Sequence, residues 1–253
     1  MERKSTSCLG EGRFKLPHIL PSLSMREVRM GLKAFTSAQP SIIEASRSDD
    51  SDFCHAMMTK YGFTEEQMHR AAERFKLGRS KSGKTIYWMI DDLDQCRDGH
   101  IGGAPFDPEA WVSTQFKHRY RDLVHLIPPT IHCFFGLHQV SQYDELMPIG
   151  IVESERSAVI LSELQPKLIW LAYAYPANCT IEQFAPLRGC KVTLYPKADP
   201  CADYYVSFLE LADQIRHVYP DIDITVSAFL EDHASETQKV RNIDLVDFLF
   251  ESL

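Results

Sequence analysis

The sequence has no run approaching the roughly 20 apolar residues that a membrane span needs, so no membrane partner is expected. Met1-Glu-Arg-Lys-Ser-Thr-Ser is followed by no apolar stretch, so a secretory signal is not expected and a cytoplasmic location is. No CxxC pair occurs among the 7 cysteines, at positions 8, 54, 96, 133, 179, 190 and 201. An odd, scattered set fits reduced structural thiols better than a disulfide framework. There is no internal repeat and no nucleophile elbow, which removes the usual sequence grounds for a hydrolytic triad. The histidines and cysteines between Cys96 and His138 include His100, His118, His125, His132 and Cys133, but none of their spacings makes a paired zinc knuckle. Basic excess is lacking too. The net charge is −8, and from Leu146 onward 8 Lys and Arg face 16 Asp and Glu, so the first 145 residues carry 19 of each sign. A nucleic-acid footprint, if present, is therefore local and lies mainly in the N-terminal part.

What remains is ordinary globular material: 44% hydrophobic and 25% charged residues over 253 positions. Residues 1–52 are rich in Ser, Pro and charge and read as a loosely ordered leader and linker, with at most a short helix from Met25 to Phe35. Residues 53–145 read as a small α+β domain. Phe53–Tyr61 and Thr64–Phe75 are expected helices, the second opened by the capping signature Thr64-Glu-Glu-Gln. Thr85–Ile90 is β-rich, Asp91–Asp94 a turn, and a second strand runs toward Gly102, which together make a hairpin. Pro128-Pro129 breaks the aromatic stretch before it.

Residues 146–253 alternate regularly. Strands are expected at Ile149–Val152, Leu168–Ala172, Lys191–Tyr195 and Ile222–Ala228. Helices are expected at Arg156–Leu164, Ile181–Leu187, Tyr204–Val218 and Asp244–Ser252. Strands separated by helices of this length imply parallel crossovers and an α/β sheet flanked by helices. Ligands of such sheets bind beyond the carboxyl ends of the strands. Glu153 and Glu155 follow the first strand, Lys197 and Asp199 the third, and Asp232 the fourth. Converging carboxylates make a hard-cation site of the kind Mg²⁺ prefers. The same acids at helix starts would equally serve as caps, and spacing leaves both roles open.

Gly78-Arg-Ser-Lys-Ser-Gly-Lys84-Thr85 matches the phosphate-binding P-loop letter for letter. The P-loop needs a strand before it and a helix after it. Here a helix precedes and a β-rich stretch follows, so a basic connection into a hairpin is expected instead. Arg70, Arg74, Lys76, Arg79, Lys81 and Lys84 nevertheless form a basic cluster, and Lys117, Arg119 and Arg121 a smaller one beside Phe116 and Tyr120. Both suit a phosphate backbone, and both equally suit a solvated face.

Pro148-Ile-Gly-Ile-Val-Glu153-Ser-Glu-Arg-Ser-Ala-Val-Ile-Leu resembles the first signature of the Toprim domain of topoisomerases, bacterial primases and related nucleases. Lys191-Val-Thr-Leu-Tyr-Pro-Lys197-Ala-Asp199-Pro resembles its second signature, a strand ending in Asp-x-Asp. Ile169-Trp-Leu-Ala and Leu187-Arg-Gly-Cys-Lys191 sit where the intervening strand and the lead into the next one fall. The chain looks most similar to primase-like Toprim proteins of bacterial mobile elements, with Thr85-Ile-Tyr-Trp-Met-Ile-Asp91 and His132-Cys-Phe-Phe-Gly-Leu-His138 as tokens of their preceding small domain. The resemblance implies a Toprim-like parallel sheet, DNA or RNA and replication proteins as partners, and Mg²⁺ as cofactor. It implies an acid/base role for Glu153 and metal binding by Asp199 in nucleotidyl transfer or phosphodiester cleavage; Asp203 and Asp232, also acids near strand ends or helix starts, are further candidate metal ligands. Two departures stand out. Lys197 takes the place of the first aspartate, and Ser154 that of the glycine after the Glu. Positions 197 and 199 share a face in extended chain, so a lysine ammonium is expected where the metal would sit. The alternative is a catalytically degenerate Toprim module that binds nucleic acid or a replication partner.

Overall fold

A computed structural model describes residues 42–102, 110–112, 133–142, 147–173 and 179–251. The expectations for the leader before residue 42, for Phe116 to Arg121, for His118, His125 and His132, and for Pro128-Pro129 lie outside the described residues.

Within the segment expected as a loose leader, residues 42–46 are helical, Ile43 is buried and Arg47 bridges to Gly78; two further helices follow. Helix α1 (Asp52–Thr59) is opened by Ser51, whose hydroxyl accepts from the Cys54 amide. Helix α2 (Glu65–Arg74) starts with the full capping box: the Thr64 hydroxyl accepts from the Gln67 amide while the Gln67 side chain accepts from the Thr64 amide. An antiparallel sheet follows, made of β1 (Gly78–Arg79), β2 (Thr85–Ile90) and β3 (Cys96–Ile101) in that order. The P-loop-like run is thus the β1–β2 hairpin. Gly83 at φ +84° closes it, with the Ser80 amide donating to Lys84 O at 2.8 Å. No helix leaves this loop, so its amides are spent on a turn rather than aimed at a phosphate.

The second half builds a four-stranded parallel sheet from β4 (Ile149–Val152), β5 (Ile169–Ala172), β6 (Lys191–Leu194) and β7 (Asp223–Val226), in the order β5-β4-β6-β7. Helix α3 (Glu155–Leu164) links β4 to β5, and α4 (Asp203–Val218) links β6 to β7. The segment Ile181–Leu187, expected as a short helix, is a 3-10 helix carrying Pro186, whose missing N–H disfavours the regular α ladder. Three short helices close the chain: α5 (Phe229–His233), α6 (Glu236–Val240) and α7 (Leu245–Glu251).

Alternation along each strand sends side chains to two cores. Ile149, Ile151, Leu171, Val192, Leu194 and Ile224 pack with Phe208, Ala212 and Ile215 of α4. Val152, Trp170 and Ala172 face the other way, onto Val159 and Ile160 of α3. Burial on both faces explains why β4 reads as continuous apolar sequence. Gly150 lies under the Trp170 indole: a Cβ there would meet ring carbon Cζ3 at 2.6 Å. The second core does not stop at the parallel sheet. Phe53, Met57, Phe75, Tyr87 and Phe135 belong to the same cluster, with Phe75 and Phe135 stacked 5.0 Å apart. Arg74 of α2 reinforces that junction, reaching Glu163 of α3 at 3.0 Å and the Ser162 hydroxyl at 2.9 Å.

Candidate functional site at the strand ends

The sheet order makes the site. From β4 the chain adds β5 on one side, then crosses to add β6 and β7 on the other. The reversal falls between β4 and β6, and the region beyond their carboxyl ends is the position where open α/β sheets hold ligands. Glu153 follows β4 directly, and Lys197 lies three residues past the end of β6. Their side chains meet, with Lys197 Nζ 3.0 Å from Glu153 Oε2. That distance makes an ion pair, and the ammonium is what balances the buried Oε2. The carboxylate is almost enclosed, at 9% side-chain exposure, whereas the lysine is 26% exposed and forms the solvent side of the pair.

Asp199 turns to a different task. Its Oδ1 accepts from the amides of Cys201 and Asp203, at 3.0 and 3.1 Å, and its Oδ2 from Tyr204, at 2.9 Å. These are the orphan donors at the start of α4, whose formal cap, Ala202, is left-handed at φ +56° and offers no side-chain bond. Burial pushes the Asp199 carboxyl up, but the three N–H donors outweigh it and hold the group below the usual carboxylate range. Asp203 is exposed on the first turn of α4, and Asp232 is exposed within α5. Among the described residues, donor atoms of Asp199, Cys201 and Asp203 fall within 4.8 Å of one another, a group that does not include Glu153 or Asp232. This set suits Mg²⁺ poorly. One carboxylate is spent on three amides, one ligand is a soft thiol, and the buried glutamate is already neutralised by an ammonium.

The basic cluster divides. Arg74 is committed to Glu163, Lys76 pairs with Asp94 at 2.9 Å, and Arg79 lies 3.9 Å from Asp50. Lys81 and Lys84, at the hairpin turn, are exposed and form no ion pair among the described residues.

One polar position, Tyr173, escaped the sequence reading, and so did the pairing of another, His100. Tyr173 follows β5 as Glu153 follows β4, its amide donating to Val152 O at 3.3 Å, and its hydroxyl is buried with no partner. Burial, and next the Glu153 charge, push its phenol well above the ordinary value. The strand-end rule that selected Glu153 selects Tyr173 equally. The other position is His100, 3% exposed, whose Nδ1 lies 2.7 Å from Glu155 Oε1. That bond ties β3 to the first turn of α3, and only tertiary contact reveals it.

Fold and site together define an α/β protein with a parallel sheet, an appended antiparallel sheet, and a lysine–glutamate pair at the topological switch point. The chain belongs to the family described as a domain of unknown function, DUF6371, which matches residues 51–198. No curated protein matches it. A solved structure, "Structure of the DnaG primase catalytic domain bound to ssDNA", is similar over 90% of this chain and 86% of that one, at 12% identity and a TM-score of 0.46.

Proposed function

We propose that this chain is a Toprim-type module that binds single-stranded nucleic acid through a metal-independent site, Lys197 supplying the positive charge that a divalent cation supplies elsewhere. One observation carries the reading: Lys197 Nζ stands 3.0 Å from Glu153 at the switch point. Two acids with one Mg²⁺ sum to zero charge, and so do one glutamate and one lysine. The electrostatic setting for a phosphate is thereby kept. A lysine keeps donors free for phosphate oxygens but is no Lewis acid and generates no metal hydroxide, so binding survives where chemistry does not. Lys81 and Lys84 on the β1–β2 hairpin would add backbone contacts.

The second reading, Mg²⁺-dependent nucleotidyl transfer or phosphodiester cleavage with Glu153 as acid/base, is favoured by the closeness of the Asp199 and Asp203 donor atoms. Calorimetric titration of Mg²⁺ and Mn²⁺ separates the two, with Glu153→Gln and Asp199→Asn as controls. The binding reading expects no heat of binding at millimolar metal. Metal binding in the wild type that both substitutions abolish would replace it by the enzyme reading.

A further inference from the structure

Charge is unevenly divided along the chain. Before residue 42, 7 Lys and Arg stand against 3 Asp and Glu; from residue 42 on, 20 stand against 32. The leader segment Met25–Phe35 sets Arg26, Arg29 and Lys33 three and four residues apart, on one face of the short helix its pattern allows. An acidic groove lies where this leader joins the body. One wall is the segment beside β1, with Arg47 bridged to Gly78 and the Ser48 amide donating to Leu77 O at 3.2 Å. The other wall is α2. Between them is a cavity of about 300 Å³ lined by Arg47, Asp49, His69, Ala72, Glu73 and Leu77. Its apolar lining is buried, with Ala72 6% and Leu77 1% exposed. Its rim is acidic. Arg47 lies between Glu44 and Glu73, at 3.5 and 4.0 Å, and His69 between Asp49 and Glu65. Four carboxylates therefore face one guanidinium and one imidazole, an acid excess in either protonation state of the ring. The Asp49 side chain is 48% exposed and that of Glu73 82%, so both carboxylates are open to a further cation.

An apolar lining under an acidic rim fits a long cationic side chain, its stem against Ala72 and Leu77 and its head at the carboxylates. We propose that the occupant is the leader of the same chain, with the Lys33 ammonium held between Asp49 and Glu73. Lys33 is the last basic residue before the groove, nine residues ahead of Ile42, a tether that spans up to about 30 Å. The tether is anchored at the groove end, because Ile43 is 6% exposed and packs with Ile86 and Trp88. Exposed ion pairs are weak singly, but a short tether raises the effective concentration of the cation to the millimolar range. Of the leader's cations, the one on the shortest loop pays the least closure entropy. The groove is independent of the phosphate-binding reading above, since the strand-end residues take no part in it.

The test uses the full chain and a zero-length carbodiimide cross-link, which joins an ammonium to a carboxylate only where the two pair. An equal mixture of ¹⁴N- and ¹⁵N-labelled chains is cross-linked at low salt, and the joined peptides are read by mass spectrometry. Lys33 is expected to join Glu73 or Asp49, in pairs of one isotope only. The product is expected to disappear at about 1 M salt, where charges more than about 3 Å apart are screened. Acetylation rates give a second readout in the same chain. Lys33 is expected to react severalfold more slowly than the exposed Lys81 of the hairpin turn. Asp49→Asn with Glu73→Gln, both at exposed side chains, is expected to bring Lys33 up to the Lys81 rate. Absence of a Lys33 cross-link to the groove, or a wild-type Lys33 as reactive as Lys81, overturns the docking. Protection of Lys33 that survives the double substitution moves the contact away from the groove and overturns it too. Pairs of mixed isotope overturn docking within one chain and assign the groove to the leader of a second copy.

Discussion

Asp199 shows how one carboxylate can be fully occupied by structure. It satisfies three amides at the start of a 16-residue helix from a position outside the helix, because the residue at the formal cap is an alanine in left-handed conformation. Asp199→Ala is expected to cost about 1 kcal/mol, up to about 2, in denaturant unfolding, and Asp199→Asn less, because the amide oxygen still accepts. The sequence left capping and metal binding open for this residue, since both need an acid before a helix; only the positions of the amides decide between them. His138 gives the residue-scale pH dependence. It is 1% exposed, with Nε2 3.1 Å from Arg74 O and Nδ1 without a partner. Burial lowers its pKa from 6.5 to about 4, so the folded state holds the neutral ring. Its contribution is complete above the unfolded value and is lost as pH falls from about 6.5 toward 4. The full shift corresponds to about 3 kcal/mol. Urea unfolding at pH 7 and pH 4.5 is expected to show this loss, and His138→Phe to flatten the slope between them.

At the scale of elements, the apolar strand β4, the capping box of α2 and the long helix α4 were legible because each is written in local pattern. Of the three short helices after β7, α7 matches the helix expected at Asp244–Ser252, but α5 and α6 were not legible, because five-residue helices carry less than two turns of periodicity. The P-loop-like run shows why context outranks letters: β1 and β2 pair across it, and the hairpin uses its glycine for a turn. Its exposed lysines still carry a prediction. Lys81→Ala with Lys84→Ala is expected to lower the log–log salt slope of nucleic-acid binding by about 1 to 2 without changing preference between strands. An unchanged slope would take the hairpin out of the interface. β4 carries a second. Gly150→Ala places a methyl inside the Trp170 ring's space, and a rigid indole between β5 and α3 cannot move cheaply. A loss of about 1–3 kcal/mol in thermal or urea unfolding is expected.

For the whole molecule, the α/β class was legible from alternating strands and helices, but the order β5-β4-β6-β7 was not, and that order brings Glu153 and Lys197 together. The hydrophobic cluster shared by α1, α2, the antiparallel sheet and α3 also needed the structure, since it joins residues some 100 positions apart. Its electrostatic counterpart is Glu163, 2% exposed and held by Arg70 and Arg74. Arg74→Ala leaves that charge with an exposed arginine only and is expected to cost about 3 kcal/mol, seen as one cooperative transition at lower denaturant. The central claim is that Lys197 supplies the positive charge that holds a phosphate at the switch point, without a metal. Anisotropy titration of a single-stranded oligonucleotide in EDTA, wild type against Lys197→Glu, tests it most directly. The account predicts salt-sensitive binding in EDTA that Lys197→Glu removes. Binding that needs Mg²⁺ and tolerates Lys197→Glu would contradict it.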